Sequence, residues 1–519
     1  MNTGQSVLVI GAGLGGITAA ALLAQQGNDV TVLEKNNIPG GRCGQINRDG
    51  HRFDVGATLF LMPKVFADTY ALLGQEIGDH LELQRIDPTY KVRFDDGLTL
   101  ALTSDLGAMR NQLEAVEPGS FGGLLRYLEE GRRHYEVSLD KFVGRNFYNW
   151  AEYLSPANLP LLFQLKVLTN HYRNIGRYFD DARLKAAFTF QNMYLGLSPF
   201  DAPATYSLMQ YTELAEGVWF PKGGLYRVVE SLVTIAESYG VRFEYGAPVK
   251  QIVIEGDRAR GVILPGGERR SADVVVANAD LPYVYRELLP DRAAAERLAN
   301  KKYTCSTIMF YWGVDKVYRQ LNTHNVFLSS DYRASFKSIF DQKTLPDEPS
   351  FYVHAPTRVD AAAAPAGHDS LFVLVPVGHL LDPMGQLDEQ SPQDWNEMTS
   401  RARAAVLSGL GREGISDLEE HLKFEICYTP RDWAGRFNLA KGAAFGLSHN
   451  FMQVGYMRPH NRHHRYRNLY FTGSSTHPGA GLPMALLSGR LSAERILKET
   501  RARQPSLYPS LVPAPAEIA

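Results

Sequence analysis

Six residues near the N-terminus, Gly11-Ala12-Gly13-Leu14-Gly15-Gly16, fit the pattern G-x-G-x-x-G. Each glycine of such a pattern has a separate task. The first allows a tight turn, the second lets a phosphate approach bare backbone, and the third lets a helix pack close to its strand. Glu34 follows Gly16 by 18 residues. A carboxylate there can accept from ribose hydroxyls and would repel a 2′-phosphate. The chemistry is dinucleotide binding, with the pyrophosphate on free N–H groups at a helix start. Gly40-Gly41-Arg42 adds flexible backbone and a cation, which serves either a diphosphate or an ordinary surface ion pair, and Phe53-Asp54-Val55-Gly56 follows. A second glycine-rich turn, from Thr472-Gly473-Ser474-Ser475-Thr476-His477 to Pro478-Gly479-Ala480-Gly481-Leu482, lies about 460 residues away. A simple nicotinamide dehydrogenase needs neither feature. Their pairing favours one cofactor held from both ends of the chain.

These residues need a frame. Residues 7–10 read as a buried strand, 17–26 as an Ala- and Leu-rich helix, and 30–33 as a second strand. That is a βαβ unit. Residues 60–220 read as mostly helical, with a long amphipathic stretch at 106–137. A helix at 225–239 ends at Gly240, and strands follow at 241–245, 249–255, 259–264 and 273–277, turned by Gly256-Asp257 and Gly266-Gly267. Residues 468–499 read as strand, turn and helix. The expected fold class is α/β, with a Rossmann-like, discontinuous cofactor domain. Its pieces are about 1–75, 225–290 and 455–500. A mixed helical and sheet domain is expected from 76–224 and 291–454, and a loose Pro-rich tail at 501–519.

The chain has 519 residues, 45% hydrophobic and 21% charged, so more than one folded domain is expected. Its 54 basic and 56 acidic residues argue against a nucleic-acid protein. Cys43, Cys305 and Cys427 are far apart. Neither a disulfide framework nor a metal site is expected, and a reducing compartment is the natural setting. The start lacks a signal-peptide pattern, and no apolar stretch approaches the roughly 20 residues of a membrane-spanning helix. Any membrane would be met from the side, on the cytoplasmic face.

With these motifs in place, the sequence resembles the bacterial-type phytoene desaturases, the carotenoid desaturase family. The run 468–488 resembles their C-terminal signature, and Gly11 to Gly16, Glu34 and Gly40-Gly41-Arg42 their N-terminal FAD region. Trp219-Phe220-Pro221-Lys222-Gly223-Gly224, Ala277-Asn278-Ala279-Asp280, Thr429-Pro430, Phe445-Gly446-Leu447 and Arg458-Pro459 match further segments. The N-terminal part is shared with amine oxidases and protoporphyrinogen oxidases. Ser474 departs from the small Ala, Gly or Cys usual in the family. The resemblance implies a peripheral membrane flavoenzyme of amine-oxidase-like fold, with non-covalent FAD. It implies hydrogen removal from a long polyene and a quinone or oxygen as electron acceptor. Implied cofactor contacts are Gly11, Gly13, Gly16, Glu34, Gly41, Arg42, Gly56, Val249, Gly473, Gly481 and Leu482.

The hydride can go to flavin N5, so no Ser-His-Asp or paired-carboxylate arrangement is required. His477 is a weak candidate acid or base beside the flavin, set against a structural loop histidine. Arg183 is either a channel group or a solvated helix residue. The stretch 159–168, with Tyr148, Trp150 and Tyr153 upstream, reads either as an interfacial helix or as a buried amphipathic one. An isomerase or oxygenase on the same scaffold, an amine or porphyrinogen oxidase, and a non-catalytic prenyl-binding escort protein are the competing functions.

Overall fold

The computed structural model describes residues 4–381 and 393–501. The tail expected at 501–519 lies, beyond Arg501, outside the described residues. A five-stranded sheet runs Leu469–Phe471, Val274–Ala277, Ser6–Ile10, Asp29–Leu33, Arg242–Glu244, and every pair is parallel. Central strand Ser6–Ile10 is covered on both faces. Val7, Leu8, Val9 and Ile10 are therefore all buried, and the run is continuously apolar rather than alternating. Helix Leu14–Gln25 is buried from Leu14 to Ala24. It lies between the sheet and the helices Tyr226–Ser238 and Leu482–Arg501. The contact with the last helix is close, because a Cβ on Gly489 would sit 2.4 Å from the Gly15 carbonyl oxygen.

The Pro-x-Gly-Gly segment before helix Tyr226–Ser238 has a local cause. Asp54 accepts from the backbone N–H groups of Leu225 at 2.9 Å and Tyr226 at 3.1 Å. Gly224, at φ +90°, leaves room for that carboxylate, which a Cβ would meet at 2.9 Å.

A seven-stranded sheet runs Leu422–Tyr428, Ser306–Val314, Asp369–Val377, Phe351–His354, His324–Leu328, Tyr90–Phe94, Thr99–Leu102. Alternation divides its faces. Ile308, Phe310, Trp312, Leu371, Val373 and Val375 join the core beneath helix Trp395–Arg412, while Met309, Leu374 and Pro376 line a cavity.

Residues 60–220 are less helical than their composition suggests. They hold strands Leu83–Ile86, Tyr90–Phe94, Thr99–Leu102 and Val218–Pro221. Tyr90–Phe94 pairs in parallel with His324–Leu328, more than 230 residues away. A short strand paired so distantly carries little local signal. The stretch 106–137 also divides, into Leu106–Val116 and Ser120–Val137. Pro118 cannot continue a helix, and Gly119 takes φ +87°.

Candidate functional site

One cavity of about 760 Å³ opens beyond the C-terminal ends of the parallel strands, where ligands of open α/β sheets sit. At one end it is lined by Gly11, Gly13, Gly41, Gly56, Gly473 and Gly481, with Glu34, Arg42, Val249 and Leu482. At the other end the lining is mostly apolar, including Phe190, Met193, Val326, Leu328 and Leu374, with Tyr and Thr hydroxyls among them. Among the sequence-selected glycines, Gly16 is not in the lining. Its Cβ would meet the Gly11 carbonyl oxygen at 2.3 Å, so it acts by letting the helix approach the turn.

The glycine end fits a dinucleotide. Helix Leu14–Gln25 starts at Gly13 with no side-chain cap and no acid in its first turn, so its N–H groups and positive dipole end are free for an anion. Gly11 and Gly473 hold φ +98° and +108°, which side chains rarely adopt. Glu34 is buried, and its carboxylate accepts from the N–H of Ala12 at 2.8 Å and of Asn36 at 2.9 Å. It is therefore oriented by backbone, with lone pairs left for a ribose hydroxyl.

Arg42 is not a surface ion pair. Its guanidinium donates to the Ala444 carbonyl at 2.7 Å and to the Ser474 hydroxyl. Burial lowers its pKa, opposed by Asp280. Ser474, the departure from the family pattern, thus becomes a fixed partner of Arg42 at the cavity wall. Asp280, pushed up by burial, accepts from the Ser475 hydroxyl and from the N–H of Ala440 at 3.0 Å.

Two residues organise the site without having been singled out as contacts. The Asn278 amide donates to the Gly11 carbonyl at 3.1 Å. Cβ atoms built on Gly13, Gly15 or Gly16 would come within 3.0 Å of its side chain, so it wedges the first glycine turn. Arg458 is 1% exposed. It donates to the carbonyls of Thr476 at 2.9 Å, Ser448 at 3.1 Å, Gln453 at 3.0 Å and Leu447 at 3.3 Å, and to that of Ser474. Burial lowers its pKa to about 10. This fork pins the second turn to the loop before it. An Arg-Pro dipeptide carries no sequence signal for such burial.

His477 lines the cavity. Its Nε2–H donates to the Arg145 carbonyl at 3.0 Å, and burial lowers its pKa to about 4. A neutral ring with its N–H committed to backbone ties two loops together. Arg183 is not in the lining. It pairs with Asp181 at 2.7 Å and Asp96 at 2.8 Å on the surface.

Residues 14–497 match the model of the family described as flavin containing amine oxidoreductase. Over 509 residues the chain is 47% identical to a zeta-carotene-forming phytoene desaturase of Myxococcus xanthus, covering 98% of this chain and 96% of that protein. It is 44% identical to a phytoene desaturase of Fusarium fujikuroi, covering 96% and 90%. Among solved structures, putrescine oxidase bound to putrescine aligns at TM-score 0.62 with 16% identity, covering 95% of this chain and 99% of that one.

Proposed function

The chain belongs to the flavin-containing amine oxidoreductases and, within them, to the phytoene desaturase family, and from that premise we propose that it binds FAD and desaturates a carotenoid precursor, phytoene or a related polyene. One observation carries the reading. A single cavity joins a glycine-built, anion-ready end to an apolar end. Bound FAD supplies the hydride acceptor. The chain's own residues do the rest. Gly11 to Gly16 and the start of helix Leu14–Gln25 take the diphosphate, Glu34 the ribose, and Arg42 with the second turn the remaining polar edge. The apolar end holds a hydrocarbon mainly by packing and limits the water around a developing carbocation. A quinone or oxygen then takes the electrons.

Access from a membrane belongs to the same proposal. Leu162, Leu165 and Val167 line the cavity, while Phe163 and Leu168 between and beside them are 78% and 75% exposed. Trp150, Leu154 and Leu159 are exposed too. The helix there, Leu159–Gln164, has six residues, and among the described residues no helix is long and apolar enough to cross a membrane. This patch suits shallow insertion at the mouth of the cavity, a peripheral placement on the cytoplasmic side. An insoluble substrate would then pass from bilayer to cavity without entering water.

Incubating FAD-loaded protein with colourless phytoene in liposomes, anaerobically with a quinone, tests the reading. New multi-banded visible absorption is expected. Its absence with FAD demonstrably bound would remove phytoene as the substrate.

A further inference from the structure

A hydrocarbon has no hydrogen-bonding atoms, so a polar cluster in its cavity needs another reason to exist. The cavity face of the seven-stranded sheet carries one. Thr58 and Tyr352 line the cavity, Thr58 two residues after Gly56. The Tyr352 hydroxyl lies 2.9 Å from the Thr58 hydroxyl and 2.7 Å from Nδ1 of His324. Strand register explains the cluster. His324 stands opposite His354 and Val326 opposite Tyr352, so His324, His354 and Tyr352 share one face. The two imidazoles stack with centroids 4.8 Å apart. Both are fully buried or nearly so.

The distances admit a chain of donors from Thr58 through Tyr352 to His324. His354 Nδ1–H donates to the Thr323 carbonyl at 3.0 Å. Tyr352 O–H donating to His324 Nδ1, with Thr58 donating to the phenol oxygen, uses each group once. Among the described residues, the Nε2 atoms of both rings are buried without a hydrogen-bond partner, an arrangement that native cores keep rare unless the groups are used. Burial, together with His354, holds His324 far below the ordinary imidazole range. At rest it is uncharged, with Nδ1 turned to the Tyr352 hydroxyl. The carboxyl of Glu213 accepts from Tyr90 at 3.2 Å, and the Tyr90 ring centroid is 5.7 Å from that of His324.

We propose that Tyr352 accepts the proton the substrate loses, passing its own hydroxyl proton to His324. This rests on the desaturase reading above. One C–H bond of the substrate breaks with its electron pair, and that hydride goes to the bound flavin. The adjacent C–H bond breaks and leaves its pair behind as the new C=C bond. Its proton joins the Tyr352 oxygen while the phenol proton moves to Nδ1 of His324. The substrate is oxidised and the flavin reduced by the same two electrons, and the imidazolium returns its proton to solvent before the next turnover. A carbon acid next to an allylic cation is so acidic that a weak, buried base suffices. Tyr352 is the catalytic residue of this relay and His324 a positioning residue.

The test uses FAD-loaded protein and phytoene in liposomes. Tyr352→Phe keeps the ring and is expected to bind FAD with unchanged absorbance and affinity. Product should form about a hundredfold more slowly. The solvent deuterium isotope effect of the wild type should disappear, and part of the substrate should leave as an alcohol, its cation captured by water. His324→Asn keeps the hydroxyl, replaces the basic nitrogen by an amide that cannot take its proton, and should lose the same isotope effect. It decides the matter if Tyr352→Phe does not load FAD. A Tyr352→Phe enzyme within threefold of wild type, with the same isotope effect and no alcohol, overturns the relay. If wild type itself forms no coloured polyene with FAD demonstrably bound, phytoene is removed as the substrate and the relay, which rests on it, falls with it, so the two failures are told apart.

Discussion

The two ends of the cavity are built from different materials. The nucleotide end is mostly backbone: positive-φ glycines, an uncapped helix start, and a carboxylate held by main-chain N–H groups. The apolar end is mostly side chains, set on one face of a sheet whose strands come from 90–102 and 306–428. A backbone site works by what is missing at each glycine, so one added atom can abolish it. A side-chain wall works by summed packing, so its losses should be graded.

Gly16→Val is the sharpest way to break that contrast. Its Cβ would lie 2.3 Å from the Gly11 carbonyl oxygen. Purified protein should be colourless, with no flavin released on denaturation. Full flavin content in this variant would remove the distinction between the two ends.

Arg458→Met should come next, because it takes the Arg458 donor from the carbonyls of Leu447, Gln453, Ser474 and Thr476. Each such loss costs about 1–3 kcal/mol, so a lowered urea midpoint and flavin loss on gel filtration are expected. Arg458→Lys should recover only part, since an ammonium cannot reproduce the planar fork. An unchanged midpoint in Arg458→Met would mean that the second turn holds its shape unaided.

Leu374→Trp probes the other end. Overfilling a packed wall costs about 1–3 kcal/mol, so polyene turnover should fall roughly tenfold while bound flavin stays at wild-type level. Parallel loss of both would show that the ends are not independent.

Acid pH should act more gently. Burial lowers His171, His354, His379, His463 and His477 to about 4. Between about 6.5 and 4 the unfolded chain binds protons that these rings refuse, so stability falls as pH falls. Asp54 and Glu213, raised by burial to about 6 and about 8, work the other way, holding protons that the unfolded chain has released. The histidines outnumber them. The urea midpoint should therefore drop between pH 6.5 and 4.5, and a rise would mean that the buried carboxyls govern the acid limb.

The contrast also explains what could be read in advance. The turn 11–16, Glu34, Gly41, Arg42 and the second turn are encoded by residue type at short spacing, and the structure gathers them on one cavity. Strand Tyr90–Phe94 escaped because its place in the sheet is fixed by the distant His324–Leu328, and Thr99–Leu102 joins that sheet only through it. Asn278 sat in a recognised segment, yet its wedge between turn and helix needs three dimensions to appear. Arg458 belonged to a recognised dipeptide, yet nothing local distinguishes a buried fork from a solvated arginine.

By itself, the sequence determined the βαβ start, the dinucleotide end and the family resemblance, because glycine spacing and strand–helix periodicity are local properties. Only the tertiary structure decided which side chains face the hydrocarbon and which bond one another. Sheet register sets Tyr352 and His324 on one face of paired strands, and tertiary packing brings Thr58, far earlier in the chain, within hydrogen-bonding distance of Tyr352.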